Sequence, residues 1–303
     1  MDKWVECVPN VSEGWDTNVL YRIRSAIERT PGVYLLDVSA DADHHRSVFT
    51  FAGRLPAVTE AVLRLAAVVV NSVDLRRHQG MHPRMGALDV VPLIPLEGIG
   101  AAECVAAAHR LGERLWTELR IPIYFYGAAA RREQRKRLEN VRRGQFEGLR
   151  AAISADETRR PDVGGPLLHE TAGATAVGVR PFLIAFNVNL DTTDRTIARE
   201  VARRVRESSG GLPAVKALGL SLAGRGLTQV SMNLVDFERT SPRAVFEAVR
   251  REAASLGVDV VESEIIGLVP QGALGPADTK DLLIRCFDSG MILENRLHAV
   301  RGR

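Results

Sequence analysis

The sequence predicts a chain of the α/β (α+β) class, made of two subdomains that each run β-α-β-β-α-β, and three observations carry that expectation. The 303 residues, 46% hydrophobic and 25% charged, suffice for two ordinary domains with buried cores. Short β-rich runs alternate with amphipathic stretches along the whole chain. Beyond residue 180 the same alternation starts again in the same order.

In the first half, β-branched and apolar runs predict strands at 4–8, 33–38, 47–52 and 88–94, with helices at 18–29 and 57–73 between them. Further helices are expected at 101–119 and 131–153, and a short strand at 123–126. The second half predicts strands at 182–190, 215–220, 228–236 and 258–265 around helices at 194–207 and 241–256, the split βαβ order. Thr193 or Asp194 and the pair Ser241-Pro242 supply the caps expected at the two helix starts. The boundary is placed between an N-terminal subdomain, 1–178, and a C-terminal one, 179–303. The turn-rich segment 162–173 reads either as a linker or as an ordered loop over a ligand. A small-molecule cleft is expected between the two sheets.

Composition excludes several classes. A formal net charge of +3 is modest for this length and does not point to nucleic acid. The basic run Arg131–Arg137, followed by Arg142-Arg143, reads at helical spacing as a solvated face. The apolar run 61–70 is interrupted by Arg64 and is too short to cross a bilayer, and the first six residues lack the apolar core of a signal peptide. A cytoplasmic location with no membrane partner is the expectation. Cys7, Cys104 and Cys286 stand far apart without CxxC spacing, so all three are expected to be small buried side chains.

The chemistry concentrates in His78-Gln79-Gly80-Met81-His82-Pro83-Arg84-Met85-Gly86-Ala87-Leu88-Asp89. Pro83 disfavours the α region for His82, and Gly80 and Gly86 allow turns around it, which presents an imidazole at the end of a sheet. An imidazole takes up and returns a proton near neutrality. His78 and His82 have a metal-ligand spacing only on a helix, which Gly80 and Pro83 oppose, so no metal is expected. Asp37, Asp41 and Asp43 fall on one face of an extended chain, where they either stabilise a cation or form a solvated turn. Arg84, Arg46 and Arg180 are candidate carboxylate anchors, and His45 joins the candidate substrate contacts. Asn10, Asn187, Asn189, Gln229 and Asn233 lie in strand-like segments where amides are less expected than apolar groups. Their donors and acceptors suit a pterin edge or an amino acid, or pair with backbone at strand ends.

With Val5–Gly14, Phe182–Leu190, Gly173-Ala174-Thr175, Gln229–Leu234 and Ile266–Pro270, the His82 string resembles the glutamate formimidoyltransferase family almost from end to end. The resemblance implies two α/β subdomains and transfer of a formimidoyl group from N-formimidoyl-L-glutamate to N5 of tetrahydrofolate, a co-substrate, with no metal. It also implies that His82 is the general acid and base, supported by Asp37 and Asp41, and that Gly164, Gly165 and Gly173 belong to the folate-contacting segment. A homodimer and a role in histidine degradation are implied as well. The length implies a transferase without the cyclodeaminase domain that some members carry. Ser39 stands where many members have aspartate, and Met81 where glutamate is usual. These departures keep open a folate-dependent formyltransferase acting on N-formylglutamate; a non-catalytic folate-binding module is the other alternative, whose simplest sign would be an altered His82, and that residue is intact.

Overall fold

The computed structural model describes residues 3–42, 45–80 and 83–301. His82, Met81, Asp43 and His44 lie outside the described residues. The chain separates into two compact units, Met1–Arg180 and Pro181–Arg303.

The first unit contains β1 (Trp4–Cys7), β2 (Asn10–Val11), α1 (Thr17–Glu28), β3 (Val33–Asp41), β4 (Arg46–Arg54), α2 (Leu55–Val70), β5 (Leu88–Pro95), α3 (Ala101–Leu119), β6 (Ile123–Gly127), α4 (Leu138–Val141), α5 (Gln145–Ala152) and β7 (Thr175–Val179). β1 and β2 are successive pieces of one path between β4 and β5, interrupted at Val8-Pro9, where proline offers no N–H to the ladder. The sheet therefore runs β3, β4, β1 with β2, β5, β7, β6. The last three strands are parallel and the other pairings antiparallel. The predicted β-α-β-β-α-β order is present, and β6 and β7 extend it beside β5.

Alternation along the strands sorts the side chains to two faces. Cys7, Phe49, Phe51, Leu93, Phe125 and Val177 pack with the apolar sides of α1, α2 and α3 in one core. Tyr124, Tyr126, Val90, Ala174 and Ala176 form a second, smaller cluster with Val141 of α4 and Leu149 of α5. The single helix expected over 131–153 is instead two short helices. Gly144 (φ +84°) and Gln145 (φ +56°) take left-handed backbone conformations that turn the chain between them. The basic run there is not wholly solvated either. The Arg135 side chain is buried, ion-paired with buried Asp162 at 2.8 Å, and lies over the Tyr124 ring.

The second unit contains β8 (Ile184–Leu190), α6 (Arg195–Val205), β9 (Val215–Leu222), β10 (Leu227–Leu234), α7 (Pro242–Ala254), β11 (Val260–Ile266), α8 (Asp278–Asp281) and α9 (Leu293–Arg301). Its antiparallel sheet is ordered β11, β8, β10, β9, which repeats the order of the first four strand positions of the other unit. Asp194 caps α6 by accepting from the Thr196 N–H, and Ser241 caps α7 ahead of Pro242. Phe186, Val188, Val230, Met232 and Ile265 pack on α6 and α7, which leaves the polar residues of the same strands on the opposite face.

Of the two readings of segment 162–173, the ordered loop is the one that fits, because Val163 pairs with Ile123, and Gly173 pairs with Gly86 and His169, all within the first unit. The cysteine expectation needs correction. Cys7 and Cys104 are buried, but Cys286 is exposed, in a left-handed turn (φ +55°) after β11. Among the described residues no helix is long and apolar enough to cross a membrane.

Candidate functional site

The segment that carries His82 is anchored on both sides. Downstream, the buried Asp89 carboxylate on β5 accepts the Met85 N–H at 2.8 Å and is ion-paired with Arg142. The Ser12 hydroxyl donates to the Gly86 carbonyl at 2.8 Å, and the Ala174 N–H donates to the Met85 carbonyl at 3.1 Å. Gly86 is required by this close approach, since a Cβ there would lie 2.1 Å from the Ala174 oxygen.

Upstream, three rings stack. Trp15 lies over His45 with centroids 3.6 Å apart, and His45 over His78 at 4.3 Å. His45 holds a left-handed backbone (φ +49°), and both of its ring nitrogens face oxygens, Nδ1 the Gln79 carbonyl at 2.9 Å and Nε2 the Glu13 carboxylate at 3.2 Å. His78 is oriented by its neighbours. Arg84 Nε donates to His78 Nδ1 at 3.1 Å, so Nε2 carries the proton and donates to the His45 carbonyl at 2.9 Å. Burial pulls the His78 imidazole below its ordinary value, opposed in part by that bond to the His45 carbonyl.

Arg84 is buried, and its guanidinium grips both oxygens of Glu147 on α5, at 2.7 and 2.8 Å. Those bonds hold the Glu147 carboxyl below the usual range. Arg46 faces Asp41, Asp89 and Arg142. Burial first, then the Arg142 charge, lowers it to about 10, while the two carboxylates oppose the shift. Asp37 sits beside Thr50 in the β3–β4 ladder just after a bulge, and Asp41 pairs with Arg46 at the strand end. Arg180 donates its N–H to the Leu93 carbonyl, and its side chain is hydrogen-bonded with Tyr126. Asn10 serves the main chain, donating to the Val8 carbonyl at 2.9 Å where β1 gives way to β2.

Gly173 (φ +70°) joins segment 162–173 to the His82 segment, and a Cβ on it would meet the Met85 carbonyl oxygen at 2.3 Å. Gly164 (φ +108°) lies against the Trp116 ring, while nothing crowds Gly165.

In the second unit, Asn187, Asn189 and Gln229 form one network. Asn189 donates to Glu262 at 2.7 Å and Asn187 to Glu264 at 3.2 Å, and the Gln229 amide donates at 3.0 Å to both Asn189 and Glu264. Arg225 donates to Glu262 at 2.8 Å, and Arg285 lies 3.6 Å from each carboxylate. Burial raises the Glu262 carboxyl, but the hydrogen bonds from Arg225 and Asn189 and the Arg285 charge leave it below the usual range. Asn233 lies exposed on the same strand, opposite Ala185 and Lys216 and outside this network.

Sequence reasoning missed Glu262 and Glu264, which occupy every second position of β11 and so share the face of the amides. It also missed Glu13, Asp89 and Glu147. Glu13 and Asp89 stand inside the motif strings, and for Asp89 a charged residue between Leu88 and Val90 was the available signal. Among the described residues, no group of three or more His, Cys, Asp or Glu is disposed to hold a metal ion.

Residues 4–180 match the formiminotransferase domain, N-terminal subdomain, and residues 185–284 match the formiminotransferase domain. The chain is 44% identical over 298 residues to a glutamate formimidoyltransferase of Streptococcus pyogenes, covering 98% of this chain and 99% of that one. It is 42% identical to a glutamate formimidoyltransferase of Thermoplasma acidophilum, covering 97% of each. A formimidoyltransferase-cyclodeaminase of Gallus gallus is 44% identical over 280 residues, of which the chain spans about half the length, 51%. With both subdomains matched in order across nearly all its residues, the chain belongs to the formiminotransferase family.

Proposed function

We propose that this chain is a glutamate formimidoyltransferase, which moves the formimidoyl group of N-formimidoyl-L-glutamate to N5 of tetrahydrofolate and releases glutamate. The observation that carries the reading is near full-length similarity to two proteins of that activity, together with an intact His82-Pro83-Arg84 segment whose flanks are held by the side chains of Ser12, His78, Asp89 and Glu147.

His82 is the acid and base of the proposal. N5 attacks the amidine carbon and forms a C–N bond. His82 removes the N5 proton, then returns a proton to the glutamate nitrogen as its bond to that carbon breaks. One imidazole serves both steps because its two forms are close in energy near neutrality. The protonated amidine carries positive charge, which Asp37 and Asp41 on β3 suit. Arg46, whose charge Asp41 and Asp89 favour, is the arginine proposed to anchor a substrate carboxylate. Gly164, Gly165 and Gly173 form the segment assigned to folate, and its tie through Gly86 to the His82 segment supports that assignment. Asn187, Asn189 and Gln229 act through Glu262 and Glu264. Oε1 of Glu262 accepts from Asn189 and Arg225 and Oε1 of Glu264 from Asn187 and Gln229, and the other oxygen of each carboxylate is proposed to accept an N–H group of a substrate. The active species is proposed to be a cytoplasmic homodimer.

The test is product formation from formimidoylglutamate with and without tetrahydrofolate, with N-formylglutamate as the competing donor. Folate-dependent release of glutamate from the formimidoyl donor supports the reading. Preference for the formyl donor, or no turnover of either, overturns it.

A further inference from the structure

We propose that Arg84 and Glu147 form a positioning clamp for the segment that carries His82, and that both act on the reaction through that segment without touching substrate. This rests on the reading of His82 as the acid and base. Three of the five N–H donors of Arg84 are engaged inside the unit, one by His78 and two by Glu147. The side chain is 10% exposed, so its bidentate face is the part a substrate carboxylate would need, and Glu147 already fills it.

The backbone makes the same connection. The Phe146 N–H donates to the Arg84 carbonyl at 3.0 Å, so the first turn of α5 meets Arg84 through main chain and side chain together. The left-handed pair Gly144 and Gln145 bends the chain to deliver that turn. On the other flank the constraint passes on in steps. Arg84 fixes the tautomer of His78, His78 holds the His45 carbonyl, and the His45 ring holds the Gln79 carbonyl. Contacts beginning at Glu147 thereby reach the residues on both sides of positions 81 and 82. A group transfer that depends on one imidazole meeting two nitrogens in turn is sensitive to such placement.

A competing reading of the same contacts is that the Glu147 carboxylate stands in for a substrate carboxylate and yields to it. The two readings predict opposite kinetics for Glu147→Gln, a change at a side chain 63% exposed and therefore compatible with folding. Steady-state rates of the full chain would be measured for Glu147→Gln, Arg84→Lys and the double variant, varying formimidoylglutamate and tetrahydrofolate separately. The clamp predicts that kcat falls by about 10- to 100-fold in each single variant, with the KM for formimidoylglutamate little changed. It also predicts that the double variant is no slower than the worse single, because the two residues act as a unit. Thermal melts of Glu147→Gln should stay close to wild type, which separates misplacement from unfolding.

A lower KM for formimidoylglutamate at unchanged kcat in Glu147→Gln would overturn the clamp and make Arg84 a substrate seat, as would wild-type kcat in both single variants. His82→Ala keeps the two levels distinct. If it is inactive while Glu147→Gln is normal, only the clamp fails. If His82→Ala turns over normally, the reading beneath the clamp fails.

Discussion

Arg84 and Glu147, 63 positions apart in the chain, meet in a bidentate pair of 2.7 and 2.8 Å, and the same guanidinium donates to His78. Both partners of Arg84 titrate in a direction that ties this arrangement to neutral pH. The His78 imidazole lies below its ordinary value because of burial, so the fold favours the neutral ring. Its contribution to stability is complete above the unfolded value and is lost as pH falls through the native one. Glu147, lowered by its bonds from Arg84, likewise contributes above its unfolded value and loses that contribution further into acid. Melting temperature should therefore fall on acidification below the ordinary histidine value, of about 6.5, and more steeply in wild type than in His78→Gln. Parallel curves for the two proteins would contradict the assignment.

The pair Arg135 and Asp162 tests the correction to the basic run. Both side chains are almost wholly buried, and Arg135 also donates to the Thr158 carbonyl at 2.9 Å. Truncating the arginine leaves an uncompensated buried carboxylate, so Arg135→Ala should cost about 3–5 kcal/mol in a denaturant titration. Arg137→Ala, a neighbour exposed to solvent, should change stability by less than about 0.5 kcal/mol. Equal effects would mean that the run is one uniform solvated face.

Glu264 tests the amide network of the second unit. Its Oε1 accepts from both Asn187 and Gln229, and Oε2, 3.6 Å from the Arg285 guanidinium, is the oxygen proposed to accept a substrate N–H. Replacing a charged acceptor forfeits roughly 1.5–3 kcal/mol, so Glu264→Gln should raise the KM for one substrate about 10-fold or more. An unchanged KM for both substrates would reduce the network to a structural one.

Much of this fold was legible in the sequence, because long elements with strong periodicity report themselves. The helix over 101–119 and the strand beginning at Leu88 are where apolar spacing puts them. β2 is only two residues long, and β7 is a short buried parallel strand containing Gly178, so neither offers a period to count. The break at Gly144 and Gln145 depends on a tertiary contact, the Phe146 N–H on the Arg84 carbonyl, and propensity alone reads through it. The site divides in the same way. His45, Arg84, Asn187 and Asn189 could be named from residue type and position. Their partners Glu13, Glu147, Glu262 and Glu264 are supplied by pairings over 30 to 80 residues, which a one-dimensional pattern does not encode.

The most direct test is the turnover of purified His82→Ala with formimidoylglutamate and tetrahydrofolate, accompanied by a folate-binding measurement. Turnover should fall by about 10²- to 10⁴-fold, with tetrahydrofolate still bound. Near wild-type turnover would contradict the assignment of His82 as the group that carries the proton between the two nitrogens.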